Sequence, residues 1–556
     1  MKQLLRRLVL LCMLIIVISG CSSGPAATAP AATAPSGSAA TSAPKATSAP
    51  QATTAPAATT APATGAGVTL TYWAPFENNA AKSVSSYSEL PLYKELMKRL
   101  NVNIVFQHPP VGMEADQFKL LVASKDLPCI IEYDWLNSYP KGPQRAIDDG
   151  VIISLNQYKD KGLMPNLSAM LAKDKELDAT VKTYKGQYYV FPSIRDTDLM
   201  QQKGGGITVR KDILDKLNLP VPTTIAEWEK ALEAMKASGI KYPFTAIFKD
   251  LHSGDSTWVG AWGIAYDFFQ VDGTVKFGGI EPQYKEYLKT LASWFKKGLI
   301  DPDILTANTS ALDAKMTGGT SAVTYRSPDS GIGVWTTSMR KTNPDVKFVA
   351  APYPKLNASD TRYIAAPNYR YQATYSAAIS SSCKNVEAAI KVLDYAYSAE
   401  GRLLYNFGME NVSFAYDSKG EPQFTDLIKK NPNGLTLKEA MILYGRNTSG
   451  GPFEKAVGPI LSQRTYPEQF DAPILWFKSV DWSRSLPRIV YSGDEASRLA
   501  TIMNEVNVLE EEMTVKIMIG DAQIDSYDEY VKKIKAANID EAIKIVQTAY
   551  NRQIGK

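Results

Sequence analysis

From Ser22 to Ala66 the chain contains no large apolar side chain, and this decides where a fold can be built. The segment is almost entirely Ala, Thr, Pro, Ser and Gly, with Lys45 its only charge. A stretch of this kind has nothing to bury, and its prolines bias it towards extended states. Any folded body must come from residues 67–556, so 22–66 reads as a tether.

What precedes the tether reads as an address. Lys2, Arg6 and Arg7 form a positive start, followed by an unbroken apolar run from Leu8 to Ile18. That run is shorter than the roughly 20 residues that cross a bilayer and suits a secretory signal. Ile18-Ser19-Gly20-Cys21 resembles the lipobox of bacterial lipoproteins. The resemblance implies that residues 1–20 are a lipoprotein signal peptide and that Cys21 carries the lipid. Residues 21–66 are then a lipidated cysteine plus linker, and the chain is held to the membrane without spanning it.

Charge excludes one class of partner. Residues 1–66 hold four basic residues and no acid, which leaves 57 of each sign in the body. A neutral body offers no broad basic face, so nucleic acid is not expected as a partner. The two histidines, His108 and His252, exclude an HExxH zinc site. No P-loop, GxGxxG, GxSxG or CxxC occurs. No metal, cofactor or catalytic set is expected, and the body is read as no enzyme. Cys129 and Cys383 are the two cysteines of the body. They read more simply as separate small buried residues than as a bridge.

The body alternates strand and helix patterns. Val68–Trp73, Val102–Phe106 and Leu127–Glu132 read as strands. Helical spacing at Tyr93, Leu96, Met97 and Leu100, and again at Phe118, Leu121 and Val122, lies between them. This β-α-β-α-β order argues for an α/β fold with a parallel or mixed sheet. Lys185-Gly186 suits a hairpin turn between Val181–Tyr184 and Gln187–Phe191. Thr224–Glu227 predicts a capping box, and Ser526–Glu529 a second one. Ile502, Val506, Leu509, Met513 and Ile517 form one stripe of a long helix that Gly520 ends.

Several segments carry a family resemblance: the Tyr184–Pro192 hairpin, Val209–Leu217 with Pro222-Thr223-Thr224, Gly298–Asp303, the Phe407-Gly408-Met409-Glu410-Asn411-Val412 turn, and the run from Tyr530 to Arg552. Together they resemble extracellular solute-binding proteins of ABC importers, of the family 1, maltose-binding-protein-like group of lipoproteins in Gram-positive bacteria. The resemblance implies a two-lobed, periplasmic-binding-protein-like (type II) α/β fold with an interlobe cleft and hinge crossovers. It places lobe one in 67–193 and 375–410, and lobe two in 194–374 and 411–556. It implies a monomer on the extracellular face of the cytoplasmic membrane, which hands a small solute to permease subunits. Two positions depart from the family pattern: Cys129 stands where an Asp is common, and Asn411 where Gly is common, although Asn tolerates a left-handed turn.

A sugar needs planar polar partners for its hydroxyls and aromatic rings for its C–H faces. Open α/β sheets place ligands beyond the carboxyl ends of strands. Four loop-like clusters carry these residue types: Trp73, Phe76 and Glu77 after the first strand; Tyr133, Asp134 and Trp135 after the third; Trp258, Trp262, Tyr266 and Asp267 in a Gly-interrupted region; and Tyr325, Arg326, Trp335, Tyr369 and Arg370. Of these, Trp73, Glu77, Asp134, Trp135, Trp258, Trp262, Tyr325, Arg326, Trp335, Tyr369 and Arg370 are the candidate ligand residues. Each has a plainer alternative as packed core, solvated loop or ion pair; Trp228 and Trp294 lie on helix stripes and read as core. Aromatic abundance favours an oligosaccharide over a peptide. The same receptor role for peptides, a surface polysaccharide-binding lipoprotein, and a secreted glycoside hydrolase, whose converging carboxylates no sequence pattern reveals, are the alternatives.

Overall fold

The computed structural model describes residues 67–196, 204–251, 257–363, 371–447 and 450–556. The expected signal peptide, Cys21, the tether, Tyr369 and Arg370 lie outside the described residues. In chain order the strands are β1 (Val68–Trp73), β2 (Val102–Gln107), β3 (Ile130–Tyr133), β4 (Phe191–Arg195), β5 (Gly206–Arg210), β6 (Phe268–Val271), β7 (Thr274–Phe277), β8 (Val323–Arg326), β9 (Phe348–Ala350), β10 (Tyr371–Ile379), β11 (Phe414–Tyr416), β12 (Pro422–Phe424) and β13 (Glu454–Lys455).

Two sheets organise two lobes. The first is six-stranded, in the order β13-β4-β10-β3-β1-β2. β10 runs against the other five, which are mutually parallel. The carboxyl ends of β1, β2, β3, β4 and β13 therefore share one edge with the start of β10. The helices predicted between β1, β2 and β3 form at Pro91–Leu100 and Glu114–Ser124 and cover the sheet. The first helix ends at Asn101, in the left-handed region at φ 51°. Leu70, Leu96, Ile104, Ile131 and Phe191 belong to the core they enclose.

The second sheet is three-stranded, β8-β5-β9, and antiparallel. Long helices pack around it, among them Ile225–Ala237, Pro282–Lys296, Gly493–Ile519 and Ile539–Gln553. Thr224 and Glu227 make the predicted capping box. Ile502, Val506 and Ile517 of the predicted stripe are buried in one core with Trp228, Leu291 and Trp294, and Gly520 closes that helix at φ 83°. Ser526 caps the helix Tyr527–Ala536 without a side-chain bond to it. Its hydroxyl is turned back to the carbonyl of Gln523, so the second predicted capping box does not form. The Lys185-Gly186 turn forms with Gly186 at φ 77°, but it carries only an isolated bridge between Lys182 and Tyr188.

Two expectations need correction. The segment 411–455 belongs with lobe one: β13 pairs with β4, Ile442 and Phe453 enter the first core, and Arg446 binds Glu132 of β3. β4 and all of β10 lie in the first sheet as well, and Ala456 and the helix Gly458–Leu461 pack on Phe407 and β12, so lobe one holds 67–196 and 371–461, and lobe two holds 204–363 and the chain from the helix Pro467–Lys478 onward. In addition, Cys129 and Cys383 are joined by a disulfide across 254 residues. The antiparallel ladder between β3 and β10 continues into the bond from Ser380 N–H to Cys129 O (3.0 Å), which brings the two cysteines side by side.

Candidate functional site

The end of β4, the start of β10 and the end of β13, where lobe one joins the rest of the chain, all lie at the edge formed by the carboxyl ends of its parallel strands. A cavity of about 530 Å³ lies on that edge, lined by Phe76 and Glu77 after β1, Glu114 after β2, Tyr133 at the end of β3, Tyr375 of β10, and Tyr87. Open α/β sheets bind solutes at such a position.

Local bonds set the shape of this cavity. His108 accepts from the backbone N–H of Tyr87 at Nε2 (3.1 Å) and donates from Nδ1 to the carbonyl of Ala74 (2.8 Å), an assignment that follows from those partners. Burial lowers its pKa and keeps the ring neutral, as the acceptor role of Nε2 requires. Its ring stacks on Phe76 at 4.5 Å. The Glu77 carboxylate accepts from the N–H groups of Asn79 (2.7 Å) and Ala80 (3.0 Å), and Glu114 accepts from Gly112 N–H (2.8 Å). Tyr133 meets Trp73 edge to face at 5.8 Å. Burial raises the Tyr133 and Tyr375 phenols, so both remain donors at neutral pH.

Tyr375 departs most from ordinary backbone. Its φ is +70°, where a bulky residue is strained. It sits where the register of β10 on β4 shifts between Gln372 and Ala377. That break turns its half-exposed ring into the cavity. Gly450, itself at φ +89°, lies against the ring, and a Cβ there would stand 3.0 Å from Cδ2 of Tyr375.

Of the candidate residues, Glu77 lines this cavity directly and Trp73 supports it from behind at 6% exposure. Asp134 caps the helix Trp135–Ser138, accepting from Asn137 N–H at 3.0 Å. Trp135, Trp258 and Trp335 offer no ring face to a ligand: they are 0, 2 and 1% exposed. Trp135 donates to Ile131 O, Trp258 packs between Trp228 and Trp294, and Trp335 donates to Asp313. Trp262 is partly buried on Tyr287. Tyr325 and Arg326 end β8 opposite Gly206, at the edge where the chain enters lobe two; Arg326 pairs with Asp313 of the same lobe at 3.1 Å. Glu114 and Tyr375 carried no sequence signal, because they reach the site through a loop turn and a strand irregularity.

A second cavity, of about 690 Å³, follows the seam between the lobes, with Tyr139 and Lys141 on one side and Asp267, Arg488 and Tyr491 on the other. Its walls are helix flanks and the 486–492 segment rather than strand ends, and the Lys141–Asp494 ion pair (3.3 Å) ties the lobes together beside it. The strand-end cavity, with its exposed rings and carboxylates, is the better candidate for a sugar.

The bacterial extracellular solute-binding protein model matches residues 81–403, more than half of the chain. The chain belongs to that family. It is 23% identical over 461 residues to the fructooligosaccharide ABC transporter substrate-binding protein FusA of Streptococcus pneumoniae serotype 4, covering 79% of this chain and 82% of FusA. Among solved structures it is similar to an HMO-binding ABC-transporter-associated solute-binding protein from Bifidobacterium longum infantis, with a TM-score of 0.71, 18% identity, and 88 and 99% of the two chains covered. It is also similar to the alginate-binding protein AlgQ2, with a TM-score of 0.65, 23% identity, and 87 and 98% covered. This solute-binding family member is a two-lobed α/β binding protein and not an enzyme.

Proposed function

We propose that this chain is the lipid-anchored receptor of an ABC importer and that it captures an oligosaccharide. The observation that carries the reading is the strand-end cavity, where the rings of Phe76, Tyr133 and Tyr375 stand beside the carboxylates of Glu77 and Glu114. Rings supply apolar area to sugar C–H faces without demanding hydrogen bonds, and the carboxylates accept from hydroxyls. Tyr325 and Arg326 supply the facing edge from lobe two. Solute bound to lobe one is enclosed when the lobes rotate together, and it shifts the open–closed balance by its differential affinity for the two states. The closed form docks on permease subunits, which are separate chains. Lipid on Cys21 holds the protein at the extracellular face of the membrane, with residues 22–66 as the spacer. The names of FusA and of the HMO-binding protein support a sugar, and family membership supports delivery to an importer.

The test is a thermal-shift screen of the full chain against oligosaccharides and short peptides. A ligand that binds only the folded state, at a hundredfold excess over Kd, adds about 2.7 kcal/mol. A rise with one sugar class, with that sugar recovered uncleaved, is the expected result. A rise with peptides alone overturns the sugar; cleavage overturns the receptor. Cys21→Ser is expected to release the protein from the membrane, and a variant that stays membrane-bound overturns the anchor.

A further inference from the structure

Charge along the cleft edge of lobe one is not evenly spread. At the end of the edge formed by β1 and β2 stand Glu77 and Glu114. At the other end, on the adjacent parallel strands β4 and β13, Arg195 and Lys455 are register partners. Acids lie close by but are taken: Arg402 binds Asp196 and also Glu454, the latter at 3.1 Å. Arg195 has a partner of its own. Lys455 is partly buried; its carbonyl accepts from Asp196 N–H at 3.1 Å, and among the described residues its ammonium meets no acid. Lys438 and Arg446 add further positive potential to it, and Arg446 is already matched by Glu132. A desolvated cation facing other cations is costly unless an anion meets it.

We propose that the solute is an acidic oligosaccharide whose carboxylate is held by Lys455 at the hinge side of the cleft, with its neutral sugar units on Tyr375. This inference rests on the oligosaccharide reading above and adds the charge of the ligand and its direction in the cleft. β13 and β10 are two strand spacings apart, about 10 Å, and Tyr375 lies about three residues further along the sheet than the level of Lys455 and Arg195, a separation that an oligosaccharide spans and a single sugar does not. Burial and the nearby cations pull the Lys455 ammonium down to about 8. Without a bound anion it therefore loses its proton in mildly alkaline solution.

The experiment titrates the full chain with galacturonate, glucuronate and mannuronate oligosaccharides and with their neutral counterparts, following intrinsic fluorescence. An acidic member is expected to bind more tightly than its neutral counterpart. Lys455→Met is expected to remove that preference, weakening the acidic ligand about 10- to 100-fold while leaving any neutral ligand unchanged. Lys455→Arg restores the preference. In the parent chain the preference fades as pH rises through 8 to 10; in Lys455→Arg it does not. Neutral members binding as tightly as acidic ones, or Lys455→Met retaining the preference, overturns the inference and leaves the oligosaccharide reading standing. No binding by either set overturns both.

Discussion

Arg446 forks onto Glu132 across 314 positions of sequence, with Nη1 at 3.0 Å from Oε2 and Nη2 at 2.8 Å from Oε1, and the two side chains are 1 and 0% exposed. The same carboxylate accepts from Tyr72 Oη (2.8 Å), and Arg446 donates to Tyr93 Oη (2.8 Å). The pair fastens the segment after β12 to the middle of the first sheet, directly behind the cleft edge. Removing one partner strands a buried charge. Glu132→Gln or Arg446→Met should each cost about 3–5 kcal/mol, measured by urea unfolding. The double variant Glu132→Gln/Arg446→Met should lose less than the sum of the single changes, because no charge is then left unmatched. Equal and additive losses would show that the pair does not act as a unit.

The Cys129–Cys383 bridge closes a loop of 254 residues that contains all of lobe two's first passage. A crosslink over so long a loop removes much freedom from the unfolded chain, although measured gains scatter. Reduction, or Cys383→Ser, should lower unfolding stability by about 2–5 kcal/mol. Thiol counting under denaturing conditions, with and without reductant, checks the bond itself: the oxidised body should show no free thiol from these two residues.

Glu510 is buried in the core of lobe two, with the hydroxyls of Tyr266 and Tyr284 as its polar neighbours. Burial pushes its carboxyl well above the usual range, and Asp267 adds to the shift. The folded state therefore holds this proton more strongly than the unfolded chain does. The stability it adds relative to a charged carboxylate is complete below the ordinary value near 4.5. As pH rises from there towards the raised value, stability falls by about 1.4 kcal/mol per pH unit. Glu510→Gln removes this slope, so the variant should gain on the parent from pH 5 to pH 8 and match it near pH 4. Parallel stability profiles for the two proteins would show that Glu510 is not protonated in the fold.

Legibility in the sequence followed the range of the interaction concerned. The alternation of β1 to β3 with their helices, the Thr224 cap and the Ile502–Ile517 stripe are set by neighbours a few positions apart, and the sequence pattern showed them. Asn411 takes φ +59°, the left-handed turn its type allows. The bridge between Cys129 and Cys383, and the allegiance of 411–455 to lobe one, depend on ladders and ion pairs between distant segments, which no local pattern encodes. The site divides in the same way. Phe76, Glu77 and Tyr133 line the strand-end cavity, a position that the order of strands in the sequence already suggests. Trp135 is adjacent to such an end, yet its indole turns back to Ile131 O and joins the core. Tyr375 was hidden because only the register break in β10 explains where its ring goes.

The most direct test of the central claim is the affinity of the Tyr375→Ala chain for the oligosaccharide that stabilises the parent, measured by calorimetry beside Trp135→Phe as a core control. Loss of a stacking ring should weaken binding by about 1–2 kcal/mol, roughly 5- to 30-fold, with little change in unfolding stability. Trp135→Phe should lower stability and leave affinity near that of the parent. Unchanged affinity in Tyr375→Ala, or a loss confined to Trp135→Phe, would contradict the placement of the solute on the strand-end cavity.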